Sequence, residues 1–192
     1  MFKADLRVEY KQRRLDITDK QRVAWNDLLL IQFQQLDCSG VETILSYAPM
    51  AKWKEFDPVY WVEYLQFGCP ELKVAFPVVD MAASPRIQAV QVDADTEWKM
   101  HAWGMAEPVP GVVVPPKNID MVLVPLLAFD RRGYRVGYGK GFYDEFLPYT
   151  REDCAWVGIS CFPPLPDLIS DVHTQDLPLD LVITPEEIFT FR

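Results

Sequence analysis

The segment Asp120–Asp144 constrains the fold more than any other part of this 192-residue chain. It opens on Met121-Val122-Leu123-Val124, which is apolar at every position. A strand with one wet face alternates apolar and polar residues, so a run without alternation needs cover on both faces. The run therefore predicts a strand at the centre of a sheet, with layers packed above and below it. A charged loop with arginines around Gly133 follows, and then the cluster Gly137-Tyr138-Gly139-Lys140-Gly141. A short helix is predicted to begin near Gly141 and to stop before Pro148. Glycine lets the backbone approach an anion closely, helix-start N–H groups point at one, and Lys140 adds a point charge. The stretch thus reads as a phosphate cradle.

Most of the remaining sequence alternates helix and strand signals. Residues from Phe2 to about Arg14 predict a helix with Lys3, Arg7, Lys11 and Arg14 on one face, by default a solvated basic face. Thr18 and Gln21 form a capping box for a helix reaching about Asp37. Asp57 caps a helix with Pro58 at its first position, running to about Phe67. Strands are predicted at Thr43–Tyr47, Lys73–Phe76, Ile87–Val92, Ala155–Ile159 and Leu181–Ile183, the third of them alternating as an edge or antiparallel strand does. Trp98–Gly111 reads as irregular. This order predicts an α/β layered sheet, largely parallel and flanked by helices, forming a single domain over residues 1–192. Ligands then belong at the carboxyl ends of strands, where the loop from Pro125 to Gly141 emerges.

Composition narrows the function classes. The formal net charge of -9 argues against nucleic acid as the main partner, because that partner needs a basic face. No apolar stretch reaches membrane-spanning length, and the N-terminus lacks the apolar run of a signal peptide. The four cysteines, Cys38, Cys69, Cys154 and Cys161, are scattered and form no Cys-x-x-Cys pair, so a reducing, cytoplasmic location is expected. His101 and His173 have neither ligand-like spacing nor a nucleophile beside them, and read as structural.

The glycine cluster alone is a weak signal. It is neither a Walker A loop, since Gly141 rather than Ser or Thr follows the lysine, nor the dinucleotide fingerprint. Asp144 reads either as a first-turn carboxylate or as a magnesium ligand beside phosphates. Asp180, just before a strand, reads first as an ordinary strand-entry residue. Trp103, with Met100 and Met105 nearby, either floors a pocket for a flat heterocycle or packs in the core.

Together, Val124-Pro125-Leu126-Leu127-Ala128-Phe129-Asp130 and Arg132 to Asp144 resemble the signature of the 5-formyltetrahydrofolate cyclo-ligase (methenyltetrahydrofolate synthetase) family. The resemblance extends over nearly the whole chain, through Lys3-x-x-x-Arg7, Thr18, Tyr47 to Glu55, Gly104 to Pro108 and Leu177 to Asp180. It implies a Rossmann-like fold of the NagB/RpiA/CoA-transferase-like kind. It also implies ATP- and Mg2+-dependent cyclisation of 5-formyltetrahydrofolate to 5,10-methenyltetrahydrofolate, through a phosphorylated formyl group, by a cytoplasmic monomer whose partners are small molecules.

The site residues follow from the resemblance. Lys3, Arg7, Arg135 and the stretch Gly137, Tyr138, Gly139, Lys140, Gly141, Phe142 and Tyr143 are expected on ATP, with Lys140 and Arg135 as the catalytic cations. Met50, Glu55, Trp103, Tyr138 and Phe142 are expected on the folate, and Asp144 and Asp180 on magnesium. Three departures accompany it: Leu126 in place of a usual glycine, Phe142 in place of a common tyrosine, and a longer loop from Pro49 to Glu55. The competing readings are a homologue that binds folate or nucleotide without turnover, and a related α/β enzyme acting on sugar phosphates or CoA esters.

Overall fold

In the computed structural model, which describes residues 1–109 and 111–191, the apolar run forms the middle of the sheet. The elements in chain order are α1 (Lys3–Leu15), α2 (Asp19–Phe33), β1 (Thr43–Leu45), α3 (Val59–Gly68), β2 (Lys73–Val79), β3 (Ile87–Val92), β4 (Trp98–Met100), β5 (Ala106–Pro108), β6 (Val113–Val114), β7 (Met121–Pro125), β8 (Ala128–Phe129), β9 (Arg135–Val136), α4 (Phe142–Phe146), β10 (Ala155–Ile159), β11 (Leu181–Ile183) and β12 (Ile188–Thr190). The main sheet runs β12-β11-β10-β7-β1-β2-β3-β6. Its five inner strands, β11 to β2, pair in parallel, while β12, β3 and β6 are added antiparallel. The sheet is therefore largely parallel with antiparallel edges.

β7 pairs with β10 through Met121↔Ala155 to Pro125↔Ile159 and with β1 through Ile44↔Met121. Its side chains alternate between two cores. Met121 and Leu123 join Ile44, Val157 and Ile183 beneath α2 and α3, where Phe33 stacks on Trp61 at 4.3 Å. Val122 and Val124 join Leu45, Val182, Phe129, Phe146 and Leu147 on the other face. A third cluster, with Leu6 and Tyr10 of α1 against Leu127, Val136 and Phe162, seats α1 on the loops beyond β7.

Sequence and structure differ at several places. The capping box at Thr18 is present, but α2 ends at Phe33, because the next turn breaks into turns rather than continuing to Asp37. Asp57 accepts from the Val59 N–H at 3.1 Å, so α3 begins one residue later than predicted. The stretch read as irregular contains the β4–β5 hairpin, whose first strand is exposed at all three positions and so lacks alternation. The charged loop is the β8–β9 hairpin. At its turn, fully buried Asp130 accepts from the Arg132, Tyr134 and Ile169 N–H groups, and Gly133 takes a φ of +83°.

Leu126 has a packing partner. A Cβ on Gly158 would lie 2.6 Å from Leu126 Cδ2 and 2.6 Å from Leu179 Cδ1. The missing side chain at Gly158 thus leaves room for Leu126, which is 1% exposed. Gly158→Ala is expected to destabilise the fold by about 1–3 kcal/mol through overpacking. Thermal denaturation checks this, and an unchanged Tm would refute the packing argument.

Candidate active site

A cleft of about 1140 Å³ lies where the sheet's parallel strands end. Tyr47 and Ala48 beyond β1 and Pro125 at the end of β7 form its base. One wall is basic. Arg7 on α1 donates from Nε to the Gly137 carbonyl at 3.0 Å, and a Cβ on Gly139 would lie 3.3 Å from that Nε. Gly139 and Gly141 adopt φ of +89° and +71°, a conformation that favours glycine, so the loop can turn tightly under Arg7. Lys3, on the same face of α1, pairs with Asp176 at 2.5 Å. The α1 basic face is thus not the solvated face expected by default: Lys3 and Arg14 are buried and Lys3, Arg7 and Lys11 line the cleft.

Arg135 is a second buried cation of this wall. It donates to Asp144 Oδ1 and to the Leu177 carbonyl, both at 2.8 Å. Burial lowers its pKa, and Asp144 counters that loss. The arginines of the charged loop have separated: Arg132 is tied to Asp130 and the Ile169 carbonyl, while Arg135 alone of the three reaches the cleft. Lys140 is exposed, its ammonium 4.6 Å above the Trp103 ring.

The carboxylates require a correction. Asp144 lines the cleft, but Asp180 does not: it lies at the amino end of β11, where its Oδ2 accepts from the Trp156 N–H at 2.6 Å. A carboxylate that does line the cleft on this side is Asp176, four residues earlier. Asp176 faces Lys3 and Arg135, and the N–H of the next residue, Leu177, donates to Asp144 Oδ1 at 3.3 Å. Burial raises the Asp176 pKa, but Lys3 and the His173 N–H outweigh it and hold the carboxyl below its ordinary value. Topology is the signal that separates the two aspartates, because ligands gather at carboxyl ends and Asp180 enters its strand from the other end. No group of three or more acidic, histidine or cysteine side chains suited to a metal occurs among the described residues. Two carboxylates fit magnesium nonetheless, since that ion takes one or two carboxylates and completes its shell with phosphate oxygens and water. Both contacts of Asp144 fall on Oδ1, which leaves Oδ2 for a cation.

The opposite wall is aromatic with one buried acid. Trp103, from the β4–β5 loop, stacks on Phe142 at 5.6 Å and accepts at its carbonyl from Lys52 Nζ at 2.6 Å. Arg86 lies over the Phe142 ring at 5.1 Å and is ion-paired with Glu145. Glu55 is 7% exposed; its Oε2 accepts from the Met50 N–H at 2.6 Å, while its Oε1 is buried without a hydrogen-bond partner. Burial raises the Glu55 pKa, and the Met50 N–H, the Tyr138 hydroxyl and Arg14 lower it in part. The Tyr143 hydroxyl is also buried without a partner, near Glu55 and Arg135. Every residue expected on ATP or folate therefore lines one cleft. Sequence reading missed Asp176, Lys11, Lys52 and Arg86 there, none of which belongs to the signature.

The sequence profile of the 5-formyltetrahydrofolate cyclo-ligase family matches residues 2–185. The chain belongs to the 5-formyltetrahydrofolate cyclo-ligase family. Among curated cyclo-ligases, that of Mycoplasma pneumoniae is 37% identical over 71 residues, covering 37% of this chain and 42% of the relative. That of Mycolicibacterium smegmatis is 26% identical over 196 residues, covering 96% and 94%. The solved structure of Aquifex aeolicus 5,10-methenyltetrahydrofolate synthetase superposes with a TM-score of 0.78 at 27% identity, over 100% of this chain and 94% of that one. The α/β architecture is thus that of solved members of the cyclo-ligase family. No helix among the described residues is long and apolar enough to cross a membrane.

Proposed function

We propose that this chain catalyses the ATP-dependent closure of 5-formyltetrahydrofolate to 5,10-methenyltetrahydrofolate, releasing ADP and phosphate. The observation that carries the reading is a single cleft with cations and a glycine loop on one wall and an open buried carboxylate beside aromatic rings on the other. The reaction needs both. An amide-like formyl oxygen is a poor leaving group, and phosphorylation makes it a good one. The formyl oxygen attacks the γ-phosphorus, the other folate nitrogen then attacks the formyl carbon, and phosphate departs.

The chain's part is placement and charge stabilisation. The backbone of Gly137, Gly139 and Gly141 holds the phosphate chain, while the Tyr138 side chain turns to Glu55. Arg7, Lys3 and Arg135 meet its oxygens, and Lys140 leaves the Trp103 ring to meet the transferring group. Asp144 and Asp176 would hold the magnesium, whose charge offsets that of the phosphates. The open Glu55 Oε1 suits the adjacent N–H donors of a pterin ring, with Met50 and the Trp103–Phe142 stack packing against its faces. The direct test is the near-ultraviolet absorbance of methenyltetrahydrofolate, formed from 5-formyltetrahydrofolate with Mg-ATP. No absorbance rise with folded protein would sink the reading.

A second prediction follows from Glu55. Its folded pKa lies above the ordinary glutamate value, so folding favours the protonated form. That contribution is complete at low pH and is lost as pH rises through the folded pKa. Glu55→Gln is neutral at every pH and is expected to raise Tm at neutral pH. It also removes the charge offered to the pterin, lowering kcat/KM for folate by about ten- to a hundredfold. A variant that loses stability, or that keeps its folate kinetics, contradicts this placement.

A further inference from the structure

We infer that Arg14, which does not line the cleft, is a positioning residue that sets the folate wall from behind; the inference rests on the cyclo-ligase reading. Arg14 is 2% exposed. Its Nη1 donates to the Tyr138 hydroxyl at 2.8 Å and its Nη2 to the Leu126 carbonyl at 2.5 Å. Leu126 immediately follows β7 and Tyr138 lies two residues beyond β9. One guanidinium thus joins the two ends of the β8–β9 hairpin, and its rigid fork fixes their separation as a lysine could not. The contact also orients a proton. A hydroxyl that accepts from a guanidinium must direct its own hydrogen elsewhere, and the Tyr138 hydroxyl faces Glu55. Arg14 therefore reaches Glu55 through Tyr138, and also directly as a nearby positive charge.

The groups facing Glu55 come from every neighbouring element. Tyr138 belongs to the glycine cluster, Tyr47 follows β1, Tyr143 lies on α4 and Arg14 on α1, with Cys161 beside Arg14. Burial raises the pKa of all three tyrosines and of Cys161, so they stay neutral at physiological pH. Arg14 is the cation among these groups. The carboxylate that would read the pterin is thus drawn toward its ionised form by a charge that the substrate never touches.

The test is Arg14→Gln and Arg14→Lys, assayed by the absorbance of the product, with thermal unfolding as the control for folding. Arg14→Gln is expected to raise KM for 5-formyltetrahydrofolate at least about tenfold, as loss of a charge-assisted bond does. It should leave KM for ATP unchanged and move the acid limb of kcat/KM for folate to higher pH. Arg14→Lys keeps the charge but not the fork, so its limb stays near the wild-type position while its folate KM still rises. Folate and ATP constants that rise together, or a limb that stays put in Arg14→Gln, would overturn the inference. If Arg14→Gln does not fold, Arg14→Lys decides: a rise in folate KM alone supports the inference, and unchanged constants or a joint rise remove it. A wild-type chain without turnover removes the cyclo-ligase reading itself, whereas these variant outcomes leave it standing.

Discussion

Asp144→Ala is expected to lower turnover by about two to three orders of magnitude, as loss of a charge-stabilising group does. It is also expected to lower Tm. Asp144 holds a position that three interactions meet: the Arg135 guanidinium, the Leu177 N–H, and in the proposed reaction the magnesium. Its removal leaves Arg135, whose side chain is 6% exposed, without its hydrogen-bonded counter-ion. An uncompensated buried charge costs on the order of 3 kcal/mol. The two losses are separable. Asp144→Asn keeps a hydrogen-bond acceptor for Arg135 and should recover part of the stability but little of the rate. Turnover and thermal unfolding of both variants check this, and near-normal rates would show that the phosphate site lies elsewhere.

Lys140→Ala should cost a similar two to three orders of magnitude in turnover while leaving Tm almost unmoved. The contrast comes from exposure. Lys140 is solvent-accessible, and the contact made by its ammonium is with the face of Trp103. An exposed cation–π contact contributes only about 0.5–1 kcal/mol. In the proposed reaction the same lysine meets the transferring phosphoryl group, where charge develops. A variant that melts early, or that turns over normally, would contradict this division between stability and rate.

Much of the fold was legible because the strongest signals are local. Four apolar residues in a row at Met121 have one physical solution, cover on both faces, and they occupy it. Thr18 and Gln21 satisfy each other at a helix start, and that arrangement depends on nothing distant. The hairpins were not legible for the opposite reason. β4 is exposed at every position, and β8 and β9 are two-residue strands ordered by Asp130, whose partners include Ile169. At the site, the glycine cluster and Lys140 could be read because backbone geometry and charge are written side by side. That Asp176 rather than Asp180 lines the cleft with Asp144 could not. The two aspartates differ not in residue type but in which end of the sheet they occupy. Arg14 was hidden among basic neighbours, since periodicity on α1 marks a shared face but not what covers it.

The crossing of α1 over the glycine loop has a consequence for how the molecule comes into being. Lys3 meets Asp171 and Asp176, and Arg7 meets Gly137, so residues made first are held by residues made more than a hundred positions later. As the chain grows, α1 is complete long before these partners have been synthesised. Its apolar side, Leu6 and Tyr10, lacks its full native cover until Phe162 and Leu165 join Leu127 and Val136. The cleft is therefore among the last features that a nascent chain can complete. A chain interrupted before Asp171 keeps the central strand and the glycine loop yet leaves the proposed phosphate wall without its Asp176 anchor.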